Sequence, residues 1–88
     1  MDRPSESAAS PAVIMARLQE IFRAELDDDD LIIGIGTRQA DLKAWDSLAH
    51  VRLVSGVENE FGFQFSLAEI EALNSVRQLI DLIRERLL

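Results

Sequence analysis

No cysteine occurs among the 88 residues, so the chain can form no disulfide, no thiolate nucleophile and no cysteine-ligated zinc site. Such a composition is compatible with a reducing cytosol. Basic residues are also scarce: nine Lys and Arg stand against sixteen Asp and Glu, a formal charge of −7. A phosphate-coated partner would be repelled at long range, which argues against nucleic-acid binding and for a basic protein partner. Long apolar runs are missing too. Nothing approaches the roughly 18 residues of a membrane span, and MDRPSESAASPA has no apolar core of a secretory signal. No membrane association and a cytoplasmic location are therefore expected. The only histidine, His50, has no second histidine or cysteine with which to share a metal, and no oriented nucleophile for a triad. It is expected as ordinary surface on the solvent side of a helix.

What the chain does have is enough apolar residue, 48%, for one compact core. Residues 1–11, rich in Ser, Ala and Pro, read as a disordered leader, and residues 12–88 as one helical domain. Ile14, Leu18, Ile21, Phe22 and Leu26 fall on one face of a first helix of about four turns, with Pro11 just ahead of it. The run Asp27–Asp30 ends that helix, because four acids at the negative end of the macrodipole repel it and one another. LIIGIGTRQADLKAW then forms a long loop. LIIGI has no partner strand, so Leu31, Ile32, Ile33 and Ile35 are expected to pin the loop onto the core.

A second helix starts near Asp46 or Ser47 and carries Leu48, Val51, Val54, Val57 and Phe61 at spacings of three and four, with Gly62 placed to end it. Ser66–Glu69 matches a capping box, with Phe65 and Ile70 set for a hydrophobic staple. Ser75–Gln78 offers another, so the third helix is short. A last helix has Val76, Leu79, Ile80, Ile83 and Leu87 on one side. The expected fold is all-α: a small antiparallel four-helix bundle of three longer helices and one short one.

Few residues invite chemistry. From Asp27, an EF-hand loop would need an oxygen ligand at Leu31, a glycine at Ile32 and a glutamate at Arg38, so the acidic run reads as a solvated turn. Gly34-Ile35-Gly36 lacks the remaining parts of a phosphate loop. Trp45 is expected in the core, where the long loop docks. In KAWDSLAHV, either Asp46 or Ser47 could cap the second helix, and capping alone accounts for a serine at that position.

DSL at the start of the second helix, V-x-L-V, E-x-E-F-G, a short helix and N-S-V-x-x-L-I form a specific ensemble. Together, DLKAWDSLAHVRLVSGVENEFGFQFSLAEIEALNSVRQLIDLI resembles the acyl carrier protein family over residues 41–83, extending back towards residue 13. The resemblance implies that Ser47 accepts 4′-phosphopantetheine from coenzyme A and that the chain does no chemistry itself. It would be a discrete, monomeric carrier of acyl thioesters in fatty-acid, polyketide or related specialised biosynthesis. Its partners would be a Mg²⁺-dependent phosphopantetheinyl transferase, an acyl-loading ligase or acyltransferase, and condensing or modifying enzymes. Asp46 and Leu48 would frame recognition of Ser47. Val51, Arg52 and Val54 would contact partners, or the valines would shelter the acyl chain.

The family commonly places acids near the start of helix two. Here Ala49, His50 and Arg52 stand in that stretch, with Glu58 and Glu60 only later, which implies a dedicated partner. Two alternatives stay open. One is an aminoacyl or peptidyl carrier loaded by an adenylating ligase. The other is a helical interaction module in which Ser47 is only a cap.

Overall fold

Residues 10–87 are described by a computed structural model. The first helix, α1, spans Pro11–Glu25 and begins on the proline itself. At the first helical position a fixed φ and a missing N–H cost nothing, so Pro11 belongs to the helix and not to the leader. Ser10, also in the expected leader, is the residue that precedes the helix, and residues 1–9 lie outside the described residues. Ile14, Leu18, Phe22 and Leu26, one turn apart, are all buried.

α1 stops at a left-handed residue. Asp27 takes φ 53°, and the Asp28 N–H donates to the Arg23 carbonyl at 3.0 Å. That bond closes a Schellman-type end, at a position where aspartate is more tolerant than bulky or β-branched residues. The acidic run ends the helix as expected, but through backbone geometry as well as charge.

The long loop is clamped to α1 by two side chains. Gln19 Nε2 and Arg23 Nε donate to the Leu31 carbonyl at 2.6 and 2.8 Å, and Gln19 Oε1 accepts from the Ile33 N–H at 3.0 Å. Ile33 is buried and Leu31 packs against the core, but Ile32 is 79% exposed and Ile35 43%. Docking by all four apolar residues is therefore corrected to docking by two. Successive residues of an extended segment point to opposite sides. A turn closed by the Thr37 N–H on the Gly34 carbonyl, at 3.1 Å, then breaks the alternation before Ile35. After a single 3₁₀ turn at Gln39–Asp41, the loop reaches Trp45.

No strand forms among the described residues, yet the loop makes one antiparallel bridge, Arg38 opposite Ser75. The Gln39 N–H donates to the Asn74 carbonyl at 2.7 Å and the Val76 N–H to the Thr37 carbonyl at 2.9 Å. These bonds fasten the loop to the joint between the last two helices.

α2 spans Ser47–Phe61 and buries Ala49, Leu53, Val54 and Val57. The expected stripe is rotated: the inward row is Ala49–Leu53–Val57, and Leu48 and Val51 face out. A small alanine takes the inward position of the first turn, leaving the larger Leu48 in water. α1 and α2 run antiparallel, since Arg17 pairs with Glu60 at 2.8 Å while Ile21 meets Gly56. A Cβ at Gly56 would stand 3.1 Å from Ile21 Cγ2, so the glycine permits this close approach. α2 ends at Gly62, left-handed at φ 76°.

α3, Leu67–Ala72, carries the expected capping box: Ser66 Oγ accepts from the Glu69 N–H, and Glu69 Oε1 accepts from the Ser66 N–H. Phe65 is buried, and Ile70 packs on the same core. At α4, Val76–Leu87, Ser75 Oγ accepts from the Gln78 N–H, but the Gln78 side chain reaches back to the Asn74 N–H instead of Ser75. Val76, Leu79, Ile80 and Ile83 close the core, in which no polar or charged described residue is buried. The expected four-helix architecture, three longer helices and one short, is the one observed.

Candidate functional site

Asp46, not Ser47, caps α2. Its extended backbone (φ −87°, ψ −176°) aims the carboxylate at the Ala49 N–H, which donates to Oδ1 at 2.8 Å. Its carbonyl accepts the first helical bond, from the His50 N–H at 2.8 Å. Ser47 is therefore the first residue of the helix proper, exposed, with a hydroxyl that makes no hydrogen bond among the described residues. Of the other serines at helix starts, Ser66 and Ser75 accept from backbone N–H groups at 3.1 and 3.2 Å, while Ser10, ahead of α1, makes no capping bond but is half-buried. Capping thus explains Ser66 and Ser75 and leaves Ser47 unexplained.

The surroundings of Ser47 suit a phosphodiester. The amides of Ser47 and Leu48 lie in the first turn, where N–H groups have no intrahelical acceptor, and they sit at the positive end of the α2 macrodipole. Both are donors that could hold a phosphate joined to the Ser47 oxygen. Among the described residues no general base is hydrogen-bonded to Ser47, so its own chain does not equip it as an activated nucleophile.

Behind the site, Trp45 is 2% exposed and packs edge-on to Phe22, with ring centroids 5.0 Å apart. Its Nε1–H donates to His50 Nδ1 at 2.9 Å, and His50 Nε2 lies 2.9 Å from the Ile70 carbonyl. An acceptor at Nδ1 and a carbonyl at Nε2 together require the neutral ring with its proton on Nε2. His50 is half-buried and links the loop before Ser47 to α3, which corrects its reading as plain surface. A lone histidine three residues beyond Ser47 gave no sign of this role, because its acceptor is a backbone carbonyl twenty residues away in sequence.

Of the residues expected to frame recognition, Asp46, Leu48, Val51 and Arg52 are exposed around Ser47, with Leu48 at 65% and Val51 at 59%. Val54, expected to touch partners, is only 4% exposed and belongs to the core. Among the described residues two carboxyls are held below their ordinary range, both at element ends. Glu69 is lowered by the Ser66 N–H and then by Arg86, and Asp41 by the Arg38 N–H and then by the Arg38 guanidinium. Neither is bonded to Ser47. Among the described residues no cluster of three His, Asp or Glu side chains could hold a metal, and no helix is long and apolar enough to cross a membrane.

This arrangement is an exposed serine without a hydrogen-bond partner on a helix end, and the comparisons with known proteins concern the chain that carries it. The family described as "phosphopantetheine attachment site" matches residues 16–83. The chain is 34% identical to the chloroplastic acyl carrier protein of Brassica napus over 84 residues, covering 94% of this chain and 62% of that one. It is 34% identical to acyl carrier protein 5, chloroplastic, of Arabidopsis thaliana over 93% of this chain and 61% of that one. It thus spans under two thirds of the length of these curated relatives. A solution structure of a holo acyl carrier protein from Geobacter metallireducens superimposes with a TM-score of 0.75 at 36% identity, covering 83% of this chain and 84% of that one. The chain belongs to the acyl carrier protein family, whose members bear a covalent 4′-phosphopantetheine and are carriers without catalytic activity of their own.

Proposed function

We propose that this chain is an acyl carrier with Ser47 as its attachment point. The observation that carries this reading is the Ser47 hydroxyl: exposed, unengaged, and relieved of the capping role by Asp46. When bound, 4′-phosphopantetheine supplies the thiol on which acyl groups travel as thioesters, so a cysteine-free chain can carry them. Ser47 anchors the arm, the first-turn amides of α2 hold its phosphate, and the buried Trp45 keeps the helix end in place. Tethering raises the effective concentration of a cargo at a docked enzyme.

Asp46, Leu48, Val51 and Arg52 frame the serine for a phosphopantetheinyl transferase, a loading ligase or acyltransferase, and condensing or modifying enzymes. The pathway proposed is fatty-acid, polyketide or related specialised biosynthesis. Acyl cargo is favoured over aminoacyl because the relatives and the solved structure above are all named acyl carriers. A monomer and a cytoplasmic location complete the proposal, to be checked by sedimentation and by cell fractionation.

Incubation with coenzyme A, Mg²⁺ and a broad-specificity transferase is expected to add one phosphopantetheinyl group by intact mass, and none to Ser47→Ala. An unmodified wild-type chain beside a competent control acceptor would overturn the proposal.

A further inference from the structure

The face of α2 that continues from Ser47 is both apolar and locally cationic. Leu48, Val51, Arg52 and Ser55 are all exposed, and their spacings of three and four make one continuous surface. Within residues 42–57 the charged groups are Lys43 and Arg52 against Asp46, a local balance of +1 in a chain of −7. The Asp46 carboxylate is already engaged with the Ala49 N–H. The two acids of α2 lie at its far end and are engaged as well: Glu58 accepts from the Phe65 N–H at 2.8 Å, and Glu60 pairs with Arg17. Arg17, Arg23, Arg38 and Arg86 each have a carboxylate partner, whereas Arg52 makes no ion pair or hydrogen bond among the described residues.

An enzyme that acts on Ser47 must cover Leu48 and Val51, one step and one turn away, and Arg52 comes with them. We propose that the surface docking here is an apolar recess bordered by a carboxylate that pairs with Arg52, so that the chain selects acidic and not basic docking faces. This inference rests on Ser47 being the attachment point. Charges of like sign across an interface are costly, and opposite charges at its rim set the rate of encounter. Acids more than about 8–10 Å from Arg52 interfere little, because charges that far apart are largely screened at physiological salt. The contact residues therefore decide, and those residues are Leu48, Val51 and Arg52.

The test uses a broad-specificity phosphopantetheinyl transferase and a variant of it whose basic carrier-facing side chains are replaced by glutamate. Each enzyme's kcat/KM on this chain, with fluorescent coenzyme A, is divided by its rate on a short peptide acceptor, which reports that the enzyme is intact. We expect the acidic variant to be favoured by about two- to fivefold. Arg52→Glu is expected to reverse the preference, while Leu48→Ser with Val51→Ser lowers both rates by about tenfold. A preference for the basic parent, or an Arg52→Glu chain with an unchanged ratio, overturns the inference and leaves the carrier reading standing. No label on Ser47 from either enzyme, both active on the peptide, overturns the carrier reading itself.

Discussion

At the scale of single residues, the division of labour in KAWDSLAHV is what gives the site its character. Asp46 takes the cap, Trp45 takes the core, and Ser47 is left with neither task. The three residue types were legible in the sequence, but either Asp46 or Ser47 could have been the cap, since both types suit the position. Only the extended backbone at Asp46 and its bond to the Ala49 N–H distinguish them. His50 was not legible at all. It accepts from the buried indole N–H, so His50→Ala is expected to cost about 1–3 kcal/mol of stability by leaving that donor unpaired. His50→Gln can accept with Oε1 and donate with Nε2, and should lose less. Denaturant midpoints read by Trp45 fluorescence would decide, and equal losses for the two variants would argue against the relay.

At the scale of elements, local signals placed the helix ends better than the helix faces. The left-handed Gly62 and the capping box at Ser66 lie where the sequence puts them, and Ser75 forms half of its expected box, because each is set by residues within one turn. The face of α2 is set by what packs against it, and two rows of similar apolarity competed. Ala49–Leu53–Val57 lies inside, against the closely approaching α1, and Leu48 and Val51 stay in water. The end of α1 carries a further prediction. Asp27 holds φ 53°, a conformation that costs residues with a Cβ but not glycine. Asp27→Gly is expected to raise stability by about 0.5–1 kcal/mol. Asp27→Asn, which keeps the tolerance and removes the charge, separates the backbone contribution from relief of acidic crowding. Calorimetry of the three proteins measures both, and a destabilised glycine variant would contradict the assigned helix end.

At the scale of the molecule, long-range ties hold the loop and α3 where Ser47 needs them. The Arg38–Ser75 bridge fastens the loop to the start of α4, and Arg86 at the end of α4 donates to both Glu69 carboxylate oxygens and to the Gln64 carbonyl. No periodicity reports such pairings, since the partners are far apart in sequence, and a two-residue bridge leaves no strand pattern. The Glu69 network predicts an acid response. With its pKa lowered in the folded state, Glu69 binds fewer protons folded than unfolded just below its ordinary range. Its contribution is complete above that range and is lost as the pH falls through the lowered folded value. Melting temperature is therefore expected to fall on acidification, and to fall less in Glu69→Gln. Identical acid profiles would show that Glu69 does not contribute.

The most direct test of the central claim is where the cofactor lands. After reaction with coenzyme A and the transferase, proteolysis and tandem mass spectrometry can assign the phosphopantetheinyl group to a single serine. Ser10, Ser47, Ser66 and Ser75 stand at helix starts; Ser66 and Ser75 are engaged by backbone donors, Ser10 makes no capping bond but is half-buried, and Ser47 is both exposed and free of backbone donors. The expected result is complete occupancy at Ser47, with Ser66 and Ser75 unmodified. Modification at Ser66 or Ser75, or a modified Ser47→Ala chain, would contradict it.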